Sequence, residues 1–207
     1  VILENINNSI QFISLQLTGT GTLTLKFAGP GDAELFFGDD PGQVDAFTLG
    51  AGLTVVLSGD VGATFVLPSS NDGNPNEAYI SGTLKLAPTA ADVLFRLVAQ
   101  DEDAVPDFVT HGFWNFESGS ILEIGNSALN DNYSDNYPFS GATILPYGGR
   151  LATTDIRENT HIFKSGSTLV QYDGLDPFGD VSLSINKCVF ETGSTFDFAD
   201  SKVQVGA

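Results

Sequence analysis

Methionine is absent from the 207 residues, and cysteine occurs once, at Cys188. One cysteine closes no internal disulfide, and Cys188 sits in an apolar stretch with Ile185, Val189 and Phe190, where a thiol reads as a small buried hydrophobe. The missing initiator and the abrupt start on Val1-Ile2-Leu3 are those of a processed mature chain or an excised segment. Long apolar runs are missing too, and nothing reaches the roughly 20 residues that cross a bilayer. Basic residues are few: eight against 26 acidic ones, for a formal net charge of -18. Such a field repels phosphate backbones and anionic lipid, so nucleic acid binding and membrane insertion are not expected. Acidic loops of this kind either keep a secreted protein soluble or hold cations. Low Lys, abundant Gly, Asn, Asp, Ser and Thr, and the absent Met together place the chain outside the cell or on its surface.

Helical periodicity is nearly absent as well. The one candidate is 87–100, where Pro88-Thr89-Ala90-Ala91-Asp92 could open a short helix carrying Val93, Leu94, Leu97 and Val98. Elsewhere the period is two: Leu15-Gln16-Leu17, Leu23-Thr24-Leu25-Lys26-Phe27, Leu84-Lys85-Leu86, Leu122-Glu123-Ile124 and Phe196-Asp197-Phe198 alternate as strands with one buried face do.

One phrase recurs: an aromatic residue, two more, Gly, a small hydroxyl residue, then an alternating strand. It reads Phe116-Glu117-Ser118-Gly119-Ser120-Ile121-Leu122, Phe163-Lys164-Ser165-Gly166-Ser167-Thr168-Leu169 and Phe190-Glu191-Thr192-Gly193-Ser194-Thr195-Phe196. Looser copies surround Gly62, Gly82 and Gly141, and weaker ones cover 17–25 and 49–57. The glycines are 20 residues apart (62 to 82), then 37 (82 to 119), 22 (119 to 141), 25 (141 to 166) and 27 (166 to 193). Four of these five steps suit one coil of a solenoid, and the long one holds an insertion at about 87–108 with the acidic run Asp101-Glu102-Asp103. If each coil turns through the same Gly corner, Tyr79, Phe116, Phe163 and Phe190 form one internal ladder. Phe65, Leu122, Ile144, Leu169 and Phe196 form a second.

These phrases resemble the degenerate parallel β-helix repeats of large bacterial surface and autotransporter-like secreted proteins, over about residues 60 to 200. The resemblance implies an all-β parallel β-helix, an extracellular location and a scaffold or adhesive role. A β-sandwich or jelly roll is the alternative, because Gly followed by Ser or Thr and a hydrophobe is also a hairpin phrase. Residues 1–60 would form an amino-terminal β region or cap with a donated strand at 1–17, and 61–207 the coils. Neither terminus looks capped, so the run containing Ile10, Phe12, Ile13 and Leu15 is the candidate joint to further copies of the chain.

Catalytic groups are harder to find. Carboxylates abound, which keeps a polysaccharide-cleaving or carbohydrate-binding protein in view, with Trp114, Tyr133, Tyr137 and Tyr147 as sugar-stacking rings. Three scattered arginines, Arg96, Arg150 and Arg157, and two distant histidines, His111 and His161, assemble no lyase site, triad or zinc set, and no enzyme is expected. Calcium is the one cofactor the residues invite, since hard cations want several oxygens. The leading ligands are Asp101, Glu102, Asp103 and Asp107, with Asp131 and Asp135; further clusters are Asp39-Asp40 with Asp45, Asp72 with Asn74 and Glu77, and Asp173 with Asp176 and Asp180. For any one of these clusters a solvated turn is the simpler reading. The function expected is a self-associating extracellular filament or adhesin scaffold, joined by strand addition or end-to-end stacking.

Overall fold

Among the described residues, short alternating runs form 17 strands and no helix occurs. The computed structural model describes residues 2–4, 9–39, 41–68, 70, 73–87, 89, 93, 95–99, 112–125, 160–172 and 187–199. The chain visits three sheets in turn and then begins again. The first circuit is β1 (Ile2–Glu4), β2 (Ile10–Phe12) and β3 (Leu15–Leu17). The second is β4 (Gly21–Ala28), β5 (Ala33–Phe37) and β6 (Phe47–Leu49), and the third is β7 (Leu53–Gly59), β8 (Ala63–Leu67) and β9 (Glu77–Ile80). The fourth is β10 (Thr83–Leu86), β11 (Phe95–Ala99) and β12 (Phe113–Phe116). Then come β13 (Ile121–Ile124) with β14 (Thr160–Phe163), β15 (Thr168–Gln171) with β16 (Lys187–Phe190), and β17 (Thr195–Phe198).

Sheet A runs β1-β4-β7-β10-β13-β15-β17, sheet B β11-β8-β5-β2 and sheet C β16-β14-β12-β9-β6-β3, and none closes into a barrel. Every strand pairing among the described residues is parallel, unlike the antiparallel ladders of a jelly roll. Register in sheet A advances 24 residues from Ile2 to Lys26, 29 from Thr54 to Thr83, 38 from Thr83 to Ile121, 47 from Ile121 to Thr168 and 27 from Thr168 to Thr195. Strands stay in phase although circuit lengths differ.

Constant register turns alternation into columns. In sheet A, Leu23, Val55, Leu84, Leu122, Leu169 and Phe196 occupy successive partner positions. Sheet C carries two inward columns, Leu15, Phe47, Ala78, Trp114, His161, Cys188 and Leu17, Leu49, Ile80, Phe116, Phe163, Phe190. Neighbouring strands lie about 4.8 Å apart, so in-register rings stack without further adjustment. Phe116 and Phe163 are 4.5 Å apart with planes 5° from parallel, and Phe163 and Phe190 4.7 Å apart at 7°. Lower in the molecule the rings fill the interior at steeper angles, as in Phe37 with Phe47 (5.0 Å, 56°) and Phe47 with Trp114 (6.1 Å, 53°). Each such fully buried side chain contributes about 2 to 3 kcal/mol by leaving water.

The three strict phrases form one repeated turn. Ser120 N donates to Glu117 O at 2.9 Å, Ser167 N to Lys164 O at 2.9 Å and Ser194 N to Glu191 O at 2.9 Å. The third residue of each turn is a glycine with positive φ, +82° at Gly119, +84° at Gly166 and +92° at Gly193, as a type II turn demands. The Ser167 and Ser194 hydroxyls donate to the same carbonyls.

Four sequence expectations need correction. Residues 95–99 of the expected helix are β11, paired with β8 from Phe95↔Ala63 to Ala99↔Leu67; Phe95-Arg96-Leu97 alternates, and sheet pairing overrides the helix-like opening. Tyr79 is not in the aromatic ladder. Ile80 takes that place opposite Phe116, because the corner from Ile80 to Thr83 is two residues shorter than that from Phe116 to Ile121. Phe65 belongs to sheet B, opposite Leu35 and Leu97, not to the Leu122 column. Gly62 therefore leads into sheet B, whereas the weak phrases at 17–25 and 49–57 are the true members preceding Gly82, since β4 and β7 lie in register with β10. Ile144 lies outside the described residues.

Candidate assembly surface

Among the described residues all three sheets end on the same circuit: β1, β2 and β3 are each the outermost described strand of their sheet. Toward the second circuit their backbones are satisfied, with Leu15 N donating to Ala46 O (3.0 Å), Gly50 N to Leu17 O (2.9 Å) and Gly38 N to Phe12 O (2.8 Å). Backbone groups of alternate residues in a strand point to opposite sides, so the N–H and C=O of Gln11 and Gln16 face outward along the axis. Ile10, Phe12, Leu15 and Leu17 are only half-buried there, and Ile13 is 63% exposed. Val44, in the longer corner 38–46 of the next circuit, is 61% exposed.

The run 10–17 reads as one apolar strand in sequence and is two in the structure, broken at Ile13-Ser14. Ser14 Oγ donates to Asp45 O at 2.7 Å and Gln16 Nε2 to Asp45 Oδ2 at 3.2 Å, which holds the bend against the second circuit. Ile10 and Phe12 thus lie in sheet B and Leu15 in sheet C, with Ile13 at the corner between them.

At the opposite side of the stack the last described strands are β16 and β17. Phe190 is 39% and Val189 40% exposed, and the Phe190 and Phe196 rings lie 5.7 Å apart at 7°. Burial pushes the Cys188 thiol well above its ordinary range, as expected of a packed hydrophobe and not a nucleophile.

The proposed calcium ligands Asp101, Glu102, Asp103, Asp107, Asp131 and Asp135 lie outside the described residues, as do Asp40, Asp72, Asp173, Asp176, Asp180, His111, Tyr133, Tyr137 and Tyr147. Among the described residues no three His, Cys, Asp or Glu side chains group as metal ligands do. Trp114 offers no sugar platform: it is fully buried, and its indole N–H donates to Val98 O at 3.1 Å. His161 is equally buried, with Nε2 2.9 Å from Leu97 O.

Two stretches separate in sequence, one with Asp39 and Gln43 and the other with Asn76, meet at one corner between sheets B and C. Asn76 clasps them. It is fully buried, its Oδ1 accepts from Gln43 N (2.8 Å) and Asp39 N (3.3 Å), and its Nδ2 donates to Pro68 O (2.8 Å) and Asp39 O (3.3 Å). Gly38 at φ +108° is obligatory beside it, since a Cβ there would overlap the Asn76 amide. The outer face of sheet C carries a second polar group. Tyr79 OH donates to Glu77 Oε2 (2.8 Å), and Lys164 Nζ lies 5.7 Å from the Tyr79 ring while pairing with Glu117 at 2.7 Å. Burial, the Glu77 hydrogen bond and the nearby Glu77 and Glu117 charges push the Tyr79 phenol up to about 12.

Comparison with family models, curated proteins and solved structures found no match to the chain.

Proposed function

We propose that the chain is a parallel β-helix acting as an extracellular structural element, joined to other copies of itself through its first circuit. The reading is carried by one observation: among the described residues the three sheets end on the same circuit, with half-buried Phe12, Leu15 and Leu17 behind the outward-facing backbone groups of Gln11 and Gln16. A parallel circuit laid on this edge pairs those groups and covers those side chains in one step.

A second copy can supply strands for this edge from its opposite end, where sheet A ends on β17, so head-to-tail stacking would lay β1 of one copy on β17 of the next. A heterologous joint of this type propagates into a filament.

Proline at Gln16 tests the joint, because it removes an N–H that faces away from the second circuit and keeps the backbone bonds of Leu15 and Leu17, at the loss of the exposed side-chain bond to Asp45. The native chain is expected to form concentration-dependent oligomers in sedimentation velocity and rods in negative-stain images. Gln16→Pro should sediment as a monomer with an unchanged far-ultraviolet spectrum. Native material that stays monomeric at high concentration sinks the proposal.

A further inference from the structure

One ionisable ring lies wholly inside the stack. His161, on β14, is 0% exposed and stands in the inward column of sheet C between Trp114 of β12 and Cys188 of β16. The ring reaches across the interior to sheet B, where Nε2 is 2.9 Å from Leu97 O. A carbonyl only accepts, so Nε2 carries the hydrogen and donates it. The Trp114 indole N–H makes the neighbouring bond, to Val98 O at 3.1 Å. Two rings from successive circuits, on β12 and β14, thus tie sheet C to adjacent carbonyls of β11.

With Nε2 committed as donor, a further proton goes to Nδ1 and makes the ring an imidazolium. The surroundings do not suit a cation. Among the described residues no carboxylate, lysine or arginine is buried. Cys188, next in the column, is the titratable group on β16 that faces the ring; burial raises its thiol, which stays neutral throughout the acid range. Gln171, buried on β15, carries no charge. Alternation turns Arg96 of β11 and Glu123 of β13 to the outer faces, where both are half-buried. Glu117 and Lys164, which follow β12 and β14, pair with one another at 2.7 Å, and Glu191 after β16 is exposed. Lys187 precedes Cys188 on β16, in the register column of Phe113 and Thr160.

We propose that His161 is an acid-sensitive switch in the core: its ring is enclosed as the neutral form, and taking up a proton drives the interior open so that the charge reaches water. The unfolded chain accepts that proton near pH 6.5, the ordinary value for histidine, whereas the folded chain resists it. Below that value the unfolded state binds more protons, so stability falls as the pH drops, by up to about tenfold in the folding equilibrium constant per pH unit. The inference is independent of any joint between copies.

The test is urea denaturation followed by Trp114 fluorescence, from about pH 7.5 down to about pH 5, on either side of the histidine range. The native folding constant should fall relative to that of His161→Gln, which retains an N–H donor, by close to tenfold per unit below about pH 6.5. His161→Phe, a ring without a titratable group, serves as the second variant. His111 is the other histidine of the chain, and His111→Gln should follow the native curve. A native-to-variant ratio that is constant with pH overturns the inference, and so does a pH dependence that disappears with His111. Nuclear magnetic resonance of the native chain with isotope-labelled histidine gives a reading free of any variant. One ring should remain neutral with its hydrogen on Nε2 for as long as the chain stays folded; two rings that both titrate near pH 6.5 in the folded chain overturn the switch.

Discussion

Replacing Asn76 should unlatch the corner between sheets B and C, and the size of the effect can be worked from its four hydrogen bonds. Two are short, to Gln43 N and Pro68 O at 2.8 Å each, and two are longer, to Asp39 N and Asp39 O at 3.3 Å each. In Asn76→Ala the two short bonds leave a half-buried donor and a half-buried acceptor without their partner, toward the lower end of about 1 to 3 kcal/mol each. The longer pair adds little, so the total is about 2 to 3 kcal/mol. With a urea m-value of about 3 kcal/mol/M, the denaturation midpoint should fall by about 1 M at unchanged slope. Fluorescence of Trp114, the single tryptophan, reports the transition directly. Asn76→Asp separates hydrogen bonding from volume. It keeps the acceptor for Gln43 N but turns a second oxygen toward the carbonyls of Pro68 and Asp39, so the variant carboxyl is best tolerated when protonated. Its folded pKa is then raised above the unfolded value of about 3.9, and its stability relative to Asn falls as pH rises through and above that value. A shift below 0.5 kcal/mol for Asn76→Ala, or pH-independent stability for Asn76→Asp relative to the native chain, would refute the clasp.

Three further outcomes follow from the columns and turns. Phe163→Ala, in the middle of the ring stack and fully buried, should cost about 3 to 5 kcal/mol, and Phe190→Ala, 39% exposed, distinctly less; equal losses by urea denaturation would contradict the stack as drawn. Gly166→Ala combines a φ of +84° with a Cβ 2.7 Å from Ser118 Oγ and should cost about 1 to 2 kcal/mol, whereas Gly31→Ala, with open space around it, should be near neutral in the same melt. Tyr79 holds its proton to about pH 12 when folded and to about 10 when unfolded, so the unfolded state loses the proton first. Stability should fall between pH 10 and 12, and Tyr79→Phe should remove that part of the slope in alkaline denaturation curves.

The strict phrases at 116–124, 163–170 and 190–198 were legible because glycine, serine and an alternating strand satisfy one turn geometry, and that turn recurs at one corner. What misled was that glycine serves two corners. Gly62 opens a sheet B strand and Gly82 a sheet A strand, and nothing local distinguishes them. Tyr79 was placed one position off because a corner two residues shorter preserves the phrase while shifting its partner. The sheet A column through Leu122 and Leu169 was read correctly, since alternation carries phase within a strand. At the joint, the apolar character of Ile10, Phe12, Ile13 and Leu15 was visible, but the bend at Ser14 depends on Asp45, 31 residues away. Asn76 left no trace at all: its partners at 39, 43 and 68 become neighbours only when circuits stack.

Register in sheet A is held while the chain between successive strands varies from 24 to 47 residues (2 to 26, 121 to 168). Frame and ornament are thus under separate control. A strand must match its neighbours above and below residue for residue, but the loop that leaves it owes them nothing beyond returning to the next strand, and lengthening such a loop adds only logarithmically to the entropy of closure. Such a chain can acquire new surface, of whatever chemistry, at its corners without renegotiating its core.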